Sequence, residues 1–146
     1  MKLKGKKIGF VLTGSFCTFK KTIAKMKELV NLEADILPIM SFNSYNLDTK
    51  FGKAQDFIKE IEKITKKEII HTIEDAEPIG PKNMTDIMII APCTGNTIAK
   101  LAYDIIDTPA VMAAKSHLRN DRPLVIAPST NNGLSRKCRK HREIIK

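Results

Sequence analysis

Residues 87–97 read Ile-Met-Ile-Ile-Ala-Pro-Cys-Thr-Gly-Asn-Thr, an apolar segment followed by a small polar loop. The apolar half, residues 87–91, is typical of a β-strand buried on both faces. The polar half leads into residues 96–106, whose apolar spacing predicts a helix. A buried strand that passes directly into a helix is the unit from which parallel α/β sheets are built.

The same alternation extends along the rest of the chain. Apolar runs predict further strands at 7–12, 34–40 and 124–127, with a short candidate at 69–73. Apolar residues at helical spacing predict helices around Ile23, Met26, Leu29 and Val30, over 51–67, and over 109–118. Polar or Pro-rich composition predicts a loop at 42–49 and a break at 77–81. The alternation predicts an α/β fold with a parallel sheet covered on both faces.

Length and composition indicate a single globular domain. The chain has 146 residues, of which 42% are hydrophobic and 28% charged, and we assign the domain to residues 1–135. No apolar run is long enough to span a bilayer, and the N-terminus does not read as a signal peptide. The cysteines, Cys17, Cys93 and Cys138, are far apart and odd in number. This pattern argues against a disulfide scaffold and against a structural zinc site, and it favours a reducing, cytoplasmic setting.

The positive charge of the chain is concentrated at its end. Residues 136–146 carry six basic side chains and one acidic one, which is +5 of the net +9. A basic tail binds nucleic acid without sequence specificity, so a non-catalytic nucleic-acid-binding protein is an alternative of a different class. The remaining chain has no basic stripe interleaved with aromatic residues, and we expect no specific nucleic acid as a partner.

Small polar residues follow four of the predicted strands. Ligands of open α/β sheets bind beyond the carboxyl ends of the strands, and amides at a helix start favour an anion such as phosphate. The alternative is that these residues are ordinary helix caps. The first loop has one glycine and is not a dinucleotide fingerprint. The four sets are Thr13-Gly14-Ser15, Ser41, Thr94-Gly95-Asn96-Thr97 and Ser129-Thr130-Asn131.

The other reactive residue types form no recognisable catalytic set. His71 and His117 have no metal-binding spacing, and we interpret both as structural or exposed. Cys93 follows a strand and a proline, and we interpret it as a small buried side chain. The acidic residues show no pair suited to acid–base work, so no catalytic residue is assigned.

Residues 91–102, Ala-Pro-Cys-Thr-Gly-Asn-Thr-Ile-Ala-Lys-Leu-Ala, resemble the motif of the flavoprotein superfamily of cysteine decarboxylases and flavin prenyltransferases. The closer resemblance is to one branch, the B subunits of dipicolinate synthases. It extends from about residue 4 to residue 134. The segments that carry it are 5–10, 12–15, 51–52, 76–82, 112–115 and 119–123.

The resemblance implies a flavodoxin-like or Rossmann-like three-layer sandwich that binds FMN. It assigns flavin contacts to Gly14, Ser15 and Ser41 and to the loop Thr94, Gly95, Asn96 and Thr97. It places Arg119 where prenyltransferases carry a phosphate-binding lysine, and Asn131 where cysteine decarboxylases carry a catalytic asparagine. Both are therefore expected to bind substrate.

Three departures weaken the alternative of a stand-alone FMN-dependent decarboxylase or flavin prenyltransferase. Ser129-Thr130 replaces the Arg-Glu of the prenyltransferases, and Thr130 replaces the Met of the decarboxylases, whose catalytic His has no match here. The dipicolinate synthase branch implies instead part of an oxidoreductase. The chain would act with the dehydrogenase-like A subunit of dipicolinate synthase, which binds NAD(P), as a homo-oligomer, in the mother cell of a sporulating bacterium.

The last eleven residues do not resemble the family. One allowed coding of residues 136–146, shifted by one base, yields a peptide similar to the family's next helix. We therefore expect residues 136–146 to be an aberrant basic tail that follows a frameshift near residue 135, with the C-terminal part of the fold missing.

Overall fold

The structure is a computed structural model, and it describes residues 3–129. The strands in this range are β1 (Lys7–Leu12), β2 (Asp35–Met40), β3 (Ile87–Cys93) and β4 (Leu124–Pro128). The α-helices are α1 (Phe19–Asn31), α2 (Phe42–Asn46), α3 (Ala54–Thr65), α4 (Ile73–Ala76), α5 (Gly95–Tyr103) and α6 (Pro109–Leu118). Short 3-10 turns occupy Phe16–Thr18 and Glu77–Ile79.

The four strands form one parallel sheet in the order β2-β1-β3-β4. Successive residues of a strand point to opposite faces, so β1 divides its side chains between two cores. Phe10 and Leu12 pack with α1 and α3 on one face, and Val11 packs with α5 and α6 on the other. The predicted α/β fold with a parallel sheet between two helical layers is confirmed.

β3 is covered less evenly than its apolar sequence predicts. Met88 and Ile90 are fully buried on the face covered by α5 and α6, whereas Ile87, Ile89 and Ala91 are half-buried on the other face. Within residues 3–129, β4 is an edge strand and is mostly exposed. The prediction that β3 is buried on both faces is therefore correct for the face covered by α5 and α6 and wrong for the other face, which is half-buried.

Local capping accounts for the elements that the sequence pattern misses. The predicted loop at 42–49 contains α2, which begins where the hydroxyl of Ser41 accepts the amide of Ser44 at 3.3 Å. The short strand predicted at 69–73 is reduced to one bridge between Ile70 and Ile39. Helix α5 ends three residues earlier than predicted, because Asp104 adopts a left-handed conformation with φ 56°.

The break predicted at 77–81 contains the 3-10 turn Glu77–Ile79 directly after α4. No helix within residues 3–129 combines the length and the apolar character that a membrane-spanning helix requires. The predicted tail, residues 136–146, lies outside the described residues.

Candidate ligand site at the carboxyl end of the sheet

A cleft of about 370 Å³ lies at the carboxyl edge of the sheet, where all four parallel strands end. This is the edge at which open α/β sheets bind their ligands. Its walls come from the loops after β1, β2 and β3 and from the loop before α6. The lining residues are Thr13, Gly14, Ser41, Phe42, Asn43, Thr94, Asn96, Thr97, Lys100, Asp107 and Thr108.

Thr13 fixes the floor of the cleft by joining the loops that follow β1 and β3. Its hydroxyl donates to the carbonyl of Pro92 at 2.6 Å and accepts the amide of Thr94 at 3.0 Å. The side chain is 1% exposed, so both bonds are shielded from water. Buried hydrogen bonds of this kind hold the two loops in one arrangement.

The loop after β3 provides the start of a long helix. The hydroxyl of Thr94 accepts the amide of Thr97 at 3.2 Å, and the two threonine hydroxyls are 3.0 Å apart. The amides of Gly95 and Asn96 belong to the first turn of α5 and have no acceptor within the helix. The predicted set 94–97 is therefore one anion-favouring helix start, three of whose residues line the cleft.

Ser41 and Gly14 form the opposite wall. Ser41 caps α2, and its amide donates to the carbonyl of Leu12 at 3.0 Å, which anchors the wall to β1. A Cβ added to Gly14 would lie 3.5 Å from the Cβ of Asn43, which is ordinary contact. Gly14 therefore leaves room beside the cleft and is not required by the backbone conformation.

Ser15 is hydrogen-bonded within the fold and is not among the residues that line the cleft. Its hydroxyl lies 2.7 Å from that of Ser129, and the amide of Ser129 donates to the carbonyl of Cys93 at 2.8 Å. Ser15 thus joins the loop after β1 to the end of β4, beside the cleft and not in its wall. A flavin contact from Ser15 stays a prediction.

The cleft includes a third helix start, that of α6, which the sequence analysis predicted but did not assign to the site. Thr108 caps α6 by accepting the amide of Val111 at 3.3 Å, and Pro109 occupies the first helical position. Threonine followed by proline is a recognised helix-start signal, so the pattern was available in the sequence. The sequence does not show that α6 begins beside α5. That position results from the packing of α6 against the sheet, which is a tertiary contact.

Arg119 is not brought to the cleft. It follows the last residue of α6, whereas Thr108 precedes the first, and ten helical residues separate them by about 15 Å. Arg119 instead borders a separate depression with Glu77, Ile106 and Lys115. Its predicted role with substrate stays a prediction, and Asn131 lies outside the described residues.

The cysteine and the two histidines near the strands have contacts or burial within the fold. Burial raises the pKa of the Cys93 thiol to about 12, so this thiol stays protonated at neutral pH. His117 is 1% exposed, and its ring nitrogens lie 2.7 Å from the Thr85 hydroxyl and 2.8 Å from the Pro123 carbonyl. His71 stacks on Tyr45 with ring centroids 3.9 Å apart. Within residues 3–129 no group of His, Cys, Asp and Glu is arranged to hold a metal ion.

The residues of the cleft fit a phosphorylated aromatic ligand. Three helix starts, capped by Ser41, Thr94 and Thr108, supply partial positive charge at one edge. Phe42 is 42% exposed at the rim and presents an apolar ring surface. A volume of about 370 Å³ lies within the roughly 300–1,000 Å³ that is common for small-molecule sites.

Comparison with known proteins places the chain in a family. The model of the family described as Flavoprotein matches residues 1–143. The B subunit of dipicolinate synthase from Bacillus subtilis (strain 168) is 48% identical over 132 residues, which are 90% of this chain and 66% of that protein. This chain therefore spans just under two thirds of the length of that relative.

Solved structures agree with the family match. The crystal structure of the dipicolinate synthase B subunit from Bacillus halodurans has a TM-score of 0.79 and 42% identity, over 92% of this chain and 69% of that one. The FMN-dependent cysteine decarboxylase SpaF shares the fold, with a TM-score of 0.79 and 20% identity over 98% of this chain and 78% of its own. The predicted flavodoxin-like architecture is thereby confirmed. The chain belongs to the flavoprotein family and, within it, to the group of dipicolinate synthase B subunits.

Proposed function

We propose that this chain acts as the B subunit of a dipicolinate synthase. With the dehydrogenase-like A subunit, it would convert a cyclic dicarboxylate of the lysine pathway to dipicolinate during sporulation. The observation that supports this most is the 48% identity with the B subunit from Bacillus subtilis over 90% of the chain. The reaction is an oxidation, in which the ring loses a hydride and a proton.

The cleft is the proposed site of FMN. Gly95 and Asn96 would donate their amides to the phosphate, and Thr97 would add its hydroxyl. Gly14 and Ser41 would form the opposite wall. A bound flavin would supply a ring that accepts a hydride or single electrons. NAD(P) on the dehydrogenase-like partner remains the proposed final acceptor of the hydride.

Arg119 is proposed to serve the assembly and not its own cleft. It is exposed, it lies about 15 Å from Thr108, and the neighbouring depression includes the apolar side chain of Ile106. A guanidinium pairs well with a planar carboxylate. Arg119 would therefore meet the substrate only where the dehydrogenase-like partner or a second copy of this chain completes the site.

The test is to co-express the full chain with the dehydrogenase-like partner from the same genome and to assay dipicolinate. We expect product only when both chains are present. The same preparation should show flavin absorbance near about 450 nm, as oxidised flavins do. Both chains purified as a folded complex with no product under any nicotinamide cofactor would contradict the proposal.

One control separates the alternative activity. The chain alone, supplied with FMN and a peptide that ends in cysteine, is expected to release no carbon dioxide. Release of carbon dioxide by the chain alone would favour a stand-alone cysteine decarboxylase instead.

A further inference from the structure

Lys100 is the one basic side chain among the described residues that line the cleft. It lies on α5 four residues after Asn96 and three after Thr97, so the three side chains share one helical face. Its ammonium nitrogen is 2.8 Å from the carboxylate of Asp107, which also lines the cleft. Among the described lining residues, the only full positive charge is thus paired with the only full negative charge.

The two side chains of this ion pair differ in their exposure to water. The Lys100 side chain is 21% exposed and that of Asp107 is 59% exposed. Asp107 stands just before Thr108, where the N-terminus of α6 favours a negative charge and water solvates the carboxylate. Lys100 has three ammonium donors, of which Asp107 engages one. Asp107 can therefore release Lys100 at a lower cost than a buried carboxylate would, because water solvates the freed Asp107 side chain.

The Lys100–Asp107 pair is one of two ion pairs that tie α5 to the segment around α6 within the described residues. A second ion pair, Lys115 with Asp104, links the same two helices. Neither Lys115 nor Asp104 lines the cleft. The two pairs therefore differ in one respect that bears on a ligand, namely that only Lys100 and Asp107 line the cleft.

We propose that Lys100 is the ionic contact of the cleft for an oxyanion of the ligand, and that Asp107 is an internal counter-ion which this oxyanion displaces. Asp107 would then set the affinity of the cleft by competing with the ligand for Lys100. The inference rests on the proposed function only for the identity of the oxyanion, which is the FMN phosphate or a carboxylate of the dicarboxylate substrate.

The test measures binding of three probes to the full chain: FMN, dipicolinate and inorganic phosphate. The variants are Lys100→Gln and Asp107→Asn, with Lys115→Gln and Asp104→Asn as matched controls from the other ion pair. We expect Lys100→Gln to weaken binding of at least one probe about tenfold, the loss of one charged hydrogen bond. We expect Asp107→Asn to tighten the same probe about two- to fivefold. Both control variants should bind each probe with an affinity within about twofold of that of the wild type.

The diagnostic result is that Lys100→Gln and Asp107→Asn change the binding affinity in opposite directions. A brace that only positions α5 and α6 would make Lys100→Gln and Asp107→Asn weaken binding together, and that result would overturn the inference. The double variant should bind more tightly than Lys100→Gln alone, because the uncompensated carboxylate is removed. Thermal unfolding of each variant verifies that it is folded.

Riboflavin, which has the flavin ring without the phosphate, distinguishes the two sources. If Lys100 contacts the phosphate, Lys100→Gln weakens the binding of FMN and leaves the binding of riboflavin unchanged. If it contacts the substrate, the variant weakens dipicolinate and leaves FMN unchanged. Opposite signs with inorganic phosphate alone would support the inference while the proposed function fails. No binding of any probe to the wild type would contradict both.

Discussion

The two ends of the parallel sheet use their polar groups in opposite ways. At the amino end, the carboxylate of Asp86 accepts the amide of Lys7 at 2.8 Å and pairs with Arg122 at 3.1 Å, so polar groups of three loops satisfy one another. At the carboxyl end, Thr94 and Thr108 cap helices that begin at an open cleft. The difference teaches that the amino end joins the strands, whereas the carboxyl end is available to a ligand.

Glycine substitutions give the largest contrast between the ends. A Cβ on Gly80, on the side of the amino end, would lie 2.2 Å from the backbone oxygen of Ser116. We expect Gly80→Ala to destabilise the fold by about 3 kcal/mol or more, because backbone must move. Gly14→Ala meets ordinary contacts and should change the free energy of unfolding by less than about 0.5 kcal/mol.

Denaturant unfolding of both variants measures this difference in stability. Titration with FMN then measures whether each variant still binds the ligand. Gly14→Ala should weaken FMN binding while the fold is unchanged, because its Cβ takes space beside the cleft. Equal stability losses in the two variants would show that the ends do not differ as described.

His117→Ala tests the amino end alone. It removes a buried ring that lies within hydrogen-bond distance of the Thr85 hydroxyl and the Pro123 carbonyl. Leaving a buried polar group unpaired costs about 1–3 kcal/mol, and two groups lose their partner, so we expect a loss of roughly 2 kcal/mol or more. FMN affinity, measured under conditions where the variant is folded, should be unchanged. A specific loss of FMN binding would give His117 a role in the ligand site.

Thr94→Ala and Thr72→Ala form a matched pair of helix caps. Thr94 caps α5 in the cleft, and Thr72 caps α4, accepting the amide of Asp75 at 3.1 Å. Each substitution should cost about 1 kcal/mol, as lost threonine caps do. Only Thr94→Ala should weaken the binding of FMN, which flavin fluorescence measures. Equal FMN affinities in the two variants would argue against an anion at α5.

Asp86→Asn gives the smallest effect and a pH dependence. The amide of Lys7 that Asp86 accepts, together with the charges of Lys7 and Arg122, lowers the pKa of Asp86 below its ordinary 3.8. A lowered folded-state pKa contributes stability that is present above about pH 4 and lost as the pH falls through the folded value. We expect Asp86→Asn to cost less than about 1 kcal/mol at pH 7.

This stability difference should shrink below pH 4 in urea unfolding at several pH values. A difference that is the same at pH 3 and pH 7 would contradict the assigned cause. FMN binding at pH 7 should not change, because Asp86 lies at the amino end.

Sequence periodicity predicts strands well and their burial less well. Ile90 and Ile126 are register partners on neighbouring strands, yet Ile90 is 0% exposed and Ile126 is 37% exposed. Both lie in similar apolar runs. The difference comes from position in the sheet, since among the described strands β3 lies between two neighbours and β4 has only one. Strand order depends on contacts distant in sequence, which periodicity does not contain.

The candidate site was predictable where it follows directly from a strand end. Thr94, Asn96 and Thr97 were expected there because a helix starts immediately after β3. Lys100 and Thr108 were missed because they reach the cleft only through the packing of α5 and α6. Arg119 was expected near the substrate from resemblance alone, and the length of α6 separates it from the cleft.

The most direct test of the carboxyl-end account is to follow the backbone amide resonances of the full chain during titration with FMN. We predict that the largest chemical-shift changes occur at the amides of Gly95 and Asn96, with further changes at Gly14 and Ser41. Amides at the amino end, such as that of Asp86, should not move. Changes centred on Asp86 or Arg119, with none at Gly95 and Asn96, would contradict the account.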